Sequence, residues 1–235
     1  MLAWFFLWLA ATPGPAAGTA YADADTMGEA LVMGQMEVRG VEALREFCHE
    51  AAPGLVNDLD KITFYWEVHN DAELRALQAA KRDGSEAWKH GNEAPVDPLL
   101  APFRLLPAER KLGICMNHIG QIRQGDRDMA RKTPAVSRFL ATYLSEHPLS
   151  RREVRRREGR TGCMKQTFNT TLKTGDRFDL VVSRKRCDCI ADTMDTQFSD
   201  AEHDALNEHL AQGRPAIEAP GMQRVAPLLA QCMVQ

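Results

Sequence analysis

The chain has 235 residues, of which 29 are basic and 32 acidic, giving a formal net charge of -3. Nucleic-acid-binding domains carry a clear excess of Lys and Arg, so this mildly acidic balance argues against nucleic acid as the main partner. Hydrophobic residues make up 44% of the chain, too many for wholesale disorder and enough for one large domain or two small ones with their own cores.

Residues Leu2 to Ala11 form an uninterrupted apolar run, followed by Pro13, Pro15 and small residues. This is the profile of a signal peptide spanning 1-22, and Ala20-Tyr21-Ala22 satisfies the small-x-small rule for cleavage before Asp23. The run departs from the pattern in one respect: no Lys or Arg precedes it. A transmembrane helix needs about 20 apolar residues, roughly twice this length, and no later stretch qualifies. The expected location is therefore the periplasm or the extracellular space.

From there to about residue 149 the spacing predicts helices. Val41, Leu44, Phe47, Cys48 and Ala51 share one helical face, and Leu55, Leu59, Ile62 and Trp66 form a second stripe after Pro53. Between Arg82 and Leu106, Gly84, Gly91, Pro95, Pro98 and Pro102 are spread among polar residues, which predicts a long surface connection. Helices resume between Pro107 and Gly125, and again from Thr133-Pro134 to His147-Pro148. Together these predict a bundle-like helical domain over 23-149.

Residues 150-160 hold Arg151, Arg152, Arg155, Arg156, Arg157 and Arg160 against only two glutamates. Ser150 with Glu153 fits a capping box, so a short helical connector is expected. Its charge suggests either contact with an anionic surface or acidic partner, or simply a solvated face.

The remaining stretch, 161-235, reads as a β-hairpin followed by a helical hairpin. Met164, Phe168 and Leu172 precede Lys173-Thr174-Gly175-Asp176, and Phe178, Leu180 and Val182 follow it with a period of two. One antiparallel register brings Leu172 to Phe178, Phe168 to Val182 and Cys163 to Cys187. Ser199 with Glu202 caps a later helix that stops at Gly213, and a last stripe runs Met222, Val225, Leu229, Cys232, with Pro227 expected to kink it.

Six cysteines behind an export leader predict disulfides. Cys48 and Cys115 sit on apolar helix faces, Cys163 and Cys187 pair across the proposed hairpin, and Cys189 and Cys232 remain to staple the C-terminal segment. The Cys187-Asp188-Cys189 triplet also suggests a thiol redox or soft-metal site, with Arg184, Lys185 and Arg186 favouring the thiolate.

Other chemistry is weakly signalled. There is no G-x-S-x-G, S-x-x-K or glycine-rich phosphate loop. His203 and His209 point roughly 240° apart on a helix, His49-Glu50 lacks the second histidine of H-E-x-x-H, and Asp126 and Asp128 lack the rest of a calcium loop. His69 with Asn70, Glu67 and Asp71 makes the only acid/base patch worth testing. No cofactor or metal is implied. The overall expectation is a mainly α, disulfide-stapled exported protein that binds or assembles with an unknown protein partner, and the alternative is a redox or metal-handling protein.

Overall fold

The computed structural model describes residues 24–233; the apolar leader and its cleavage point lie outside them. Among the described residues every regular element is helical and there is no strand. The helices are α1 (Met27–Ala51), α2 (Val56–His69), α3 (Asp71–Arg82), α4 (Glu86–Glu93), α5 (Asp97–Arg104), α6 (Ala108–Arg123), α7 (Met129–Lys132), α8 (Pro134–Glu146), α9 (Arg151–Thr174), α10 (Leu180–Gln197), α11 (Asp200–Ala211) and α12 (Met222–Cys232).

Helix α1 is the axis of the molecule. Thr26 caps it, accepting from the Glu29 amide while Glu29 reaches back to the Thr26 amide, so two orphan donors are satisfied at its first turn. Helices α2, α3, α4, α6 and α8 pack around it. Leu31, Val41, Trp66, Leu77, Ile122, Met129, Val136 and Leu140 form the main core, and Phe47, Leu59, Leu100 and Ile119 form a second one around the Cys48–Cys115 disulfide.

The stretch from Arg82 to Leu106 is not a surface connection: it folds as α4 and α5. Most of its glycines and prolines sit where helices start, stop or approach closely, while Pro102 lies inside α5. Gly84, at φ +68°, ends α3, and Ser85 accepts from the Trp88 amide to cap α4. Gly91 lies against α1 so tightly that a Cβ there would come within 2.8 Å of the Val32 carbonyl oxygen. Pro98 falls in the first turn of α5, where the missing amide hydrogen costs nothing.

The predicted β-hairpin is a helical hairpin. Residues 163–174 are the second half of α9, and α10 begins at Leu180. Met164, Phe168 and Leu172 are four apart, a spacing that suits a helix as well as a strand. The turn chemistry decides for helix. Gly175, at φ +76°, closes α9 in the left-handed conformation, and the Asp179 side chain accepts from the Val182 amide to open α10. Leu172 and Val182, both expected on the buried face, are instead exposed. Antiparallel helices keep the same mirrored register as antiparallel strands, which is why the Cys163–Cys187 pairing is common to both arrangements. Phe64 of α2 meets Phe168 and Phe178 here at centroid distances of 5.4 and 5.7 Å, tying this hairpin to the first helices.

The arginine-rich stretch is the first half of α9, continuous through residue 160, and its charges are spent within the chain. Arg152, Arg156 and Arg160 pair with Asp195, Asp192 and Asp188 along α10, Arg151 and Arg155 with Asp204 and Asp200 of α11, and Arg157 with Asp71. Single exposed pairs contribute about 0–1 kcal/mol. Here their main effect is to set the register between α9 and its neighbours. Further on, α12 continues across Pro227, and Phe198, Leu206, Met222 and Val225 close a small C-terminal core.

Candidate functional site

A groove of about 700 Å³ opens along α1. Met36, Glu37, Arg39, Gly40 and Leu44 form its floor, residues 94–103 one wall, and residues 117–132 of α6, α7 and their connection the other. Its size falls in the range of small-molecule pockets. The two ends differ in character. Leu44, Leu99, Leu100 and Phe103 line one end, and Leu99 remains half exposed there. The other end holds Glu37, Asp126, Arg127 and Lys132.

Glu37 is the centre of that charged end. It accepts from Arg127 at 2.9 Å and Lys132 at 2.7 Å. Burial by itself would push its carboxyl up, but the two cations outweigh burial and hold it below the usual carboxylate range. Arg39 is bound differently: its guanidinium donates to the carbonyls of Gly91 and Ala94 and meets no carboxylate among the described residues.

Gly40 lies on the groove floor, and a Cβ built on it would have nothing within 4 Å. A mid-helix glycine costs roughly 0.5–1 kcal/mol relative to alanine. Unlike Gly91, this one is not required by a neighbouring backbone; its effect is to leave the floor open.

His118 is associated with the same charged end. It is 2% exposed, and neither ring nitrogen has a hydrogen-bond partner among the described residues. Burial, then the Arg127 guanidinium, pushes its pKa down to about 4, against a smaller opposing pull from Glu37. The ring is therefore neutral at physiological pH.

A second buried polar cluster is structural. The fully buried Asp60 accepts from Arg45 and His49, each at 2.8 Å, and from the Leu180 amide at 3.2 Å. Asn57 accepts from the Phe178 amide at 2.9 Å. Two side chains of α2 thus receive the entry to α10, where helix amides lack internal partners and the dipole favours a carboxylate. Arg184 of α10 bridges Glu42 and Glu67 beside them; burial lowers its pKa, but the two carboxylates raise it further.

The structure joins the six cysteines as Cys48–Cys115, Cys163–Cys187 and Cys189–Cys232, with Cα separations of 5.6, 5.6 and 5.7 Å. Cys187 and Cys189 do not share a face, as strand geometry would have given. On a helix they lie about 200° apart, so Cys187 reaches α9 and Cys189 reaches α12. Bonded to different partners, Cys187 and Cys189 do not form a dithiol pair with each other, and no cysteine is free among the described residues.

The acid/base patch at the end of α2 also dissolves into structural roles. His69 bonds the Tyr65 carbonyl at 2.9 Å, Asn70 joins the Trp66 carbonyl to the Met129 amide, Glu67 holds Arg184, and Asp71 holds Arg157. Hydrophobic periodicity had no means of finding the groove, because its walls come from segments far apart in sequence. Mid-helix Gly40 was the one local signal available.

No known protein family, curated protein or solved structure matches the chain.

Proposed function

We propose that this chain is an exported, disulfide-locked binding protein whose ligand, an amphiphilic small molecule, occupies the groove along α1. The observation that carries this reading is the groove itself, apolar at one end, charged at the other and open over Gly40. Export is supported by the leader, and three disulfides that use all six cysteines are compatible with an oxidising compartment. No helix among the described residues is long and apolar enough to cross a membrane. With the arginines of α9 already paired within the chain, recognition falls to the groove rather than to that helix.

Two experiments test the reading. The neutral apolar dye N-phenyl-1-naphthylamine should brighten on binding the wild-type protein and not the Gly40→Leu variant, whose side chain enters the open space above the floor. Equal brightening in both, or none in either, overturns the groove as the site. Peptide mapping of the full chain recovered outside the cytoplasm should show an N-terminus at Asp23 and the three linkages. An intact Met1 on reduced, cytoplasmic protein overturns the export part.

A further inference from the structure

We infer that the groove selects an amphiphile with an anionic head and an apolar body, the simplest case being a medium-chain carboxylate; this rests on the groove being a ligand site at all. The charges lining it are unequal, with Arg39, Arg127 and Lys132 against Glu37 and Asp126. Their pairing sharpens the imbalance. Arg127 and Lys132 both donate to Glu37, and Asp126 is engaged by Arg131 at 3.3 Å. Among the described residues Arg39 has only backbone carbonyls as partners. An entering anion therefore meets in Arg39 a guanidinium held by backbone carbonyls and, among the described residues, by no carboxylate. An entering cation would have to compete for a carboxylate that already accepts from two donors.

The order along the groove fits the same ligand. Glu37, Arg127 and Lys132 sit toward the N-terminal side of the floor, while Leu44, Leu100 and Phe103 lie toward the end closed by the Cys48–Cys115 core. From Met36 to Leu44 the helix rises about 12 Å, a span suited to an alkyl chain of medium length lying over Gly40. The head would rest at the charged end, where charge-assisted hydrogen bonds replace those it made to water. The tail would cover the exposed side of Leu99, which nothing else among the described residues shields.

The test uses the full disulfide-bonded protein with the naphthylamine dye already bound. Three displacers share one tail: dodecanoate, dodecanol and dodecyltrimethylammonium, all kept below their micelle-forming concentrations. Dodecanoate should displace the dye at a concentration roughly tenfold below that of the other two, the scale of one charge-assisted hydrogen bond. Its advantage should shrink as salt is raised. Equal displacement by all three, or preference for the cation, overturns the anionic selectivity, while a dye signal still lost in Gly40→Leu keeps the groove as a site. A wild-type protein that never binds the dye removes both.

Discussion

Lowering the pH should destabilise this protein through His118 in a way that one substitution removes. In the unfolded chain a histidine takes up its proton near pH 6.5, whereas burial and Arg127 hold the native ring neutral down to about pH 4. Between those values the unfolded state binds a proton that the native state refuses, so acidification favours unfolding. The contribution is fully present above pH 6.5 and is lost as pH falls toward 4. At about 1.4 kcal/mol for each pH unit of difference, the loss amounts to about 3 kcal/mol. His118→Leu replaces an unpartnered buried ring with an apolar side chain of similar size, so it should also raise stability at pH 7 by about 1–3 kcal/mol. Urea unfolding of both proteins at intervals from pH 7 to pH 4, with disulfides intact, measures the difference directly. Carboxylates such as Glu37 lose stability in acid in both proteins and cancel. Parallel pH dependences for wild type and variant would refute the assignment.

Three further outcomes follow from the packing. Asp60→Ala should cost about 3–5 kcal/mol, because it leaves the buried Arg45 with only a 3.7 Å contact to Glu42 and strips the Leu180 amide of its acceptor, and hydrogen exchange should then rise first around residues 178–187; unchanged protection there would contradict the anchoring role. Gly91→Ala should lower the melting temperature, since its Cβ would meet the Val32 carbonyl oxygen at 2.8 Å. Gly40→Ala should raise it, by about 0.5–1 kcal/mol of stability, and calorimetry that reverses this order would show that one of the two environments is misplaced. Removing Cys48–Cys115, with its sequence separation of 67, should destabilise more than removing Cys163–Cys187, with its separation of 24. In the chain-entropy account the costs are roughly 4 and 3 kcal/mol, and denaturant midpoints of the paired serine variants measure the difference.

Much of the helical framework was written locally. The Ser150/Glu153 and Ser199/Glu202 capping boxes open α9 and α11, Gly125 and Gly213 adopt the positive φ that ends the helices before them, and Pro134 opens α8. The disulfide partners were also legible, though for a partly mistaken reason: the mirrored register around Gly175 survives when strands are exchanged for helices. The spacing of Met164, Phe168 and Leu172 by four does not distinguish the two periods, and the apparent alternation of Phe178, Leu180 and Val182 spans the boundary where α10 begins. Three partners of the α9 arginines, Asp188, Asp192 and Asp195, are spaced by four and three on one face of α10. Reading them as partners required knowing that the two helices run antiparallel.

The functional features were the least legible because each depends on tertiary placement. His118 sits in an ordinary amphipathic stretch, and nothing local marks it as buried without a partner. Asp60 lies beside the apolar stripe of Leu59, Ile62 and Trp66, where a charge normally signals solvent. The groove requires residues 94–103, which the sequence places in a surface connection, to fold over α1.

The groove is tested most directly by two-dimensional amide NMR of the full disulfide-bonded protein titrated with the naphthylamine dye. The structure predicts saturable shifts concentrated in residues 36–44, 94–103 and 117–132, and their disappearance in Gly40→Leu. Shifts centred elsewhere, or an unchanged spectrum at saturating dye, would contradict a ligand site along α1.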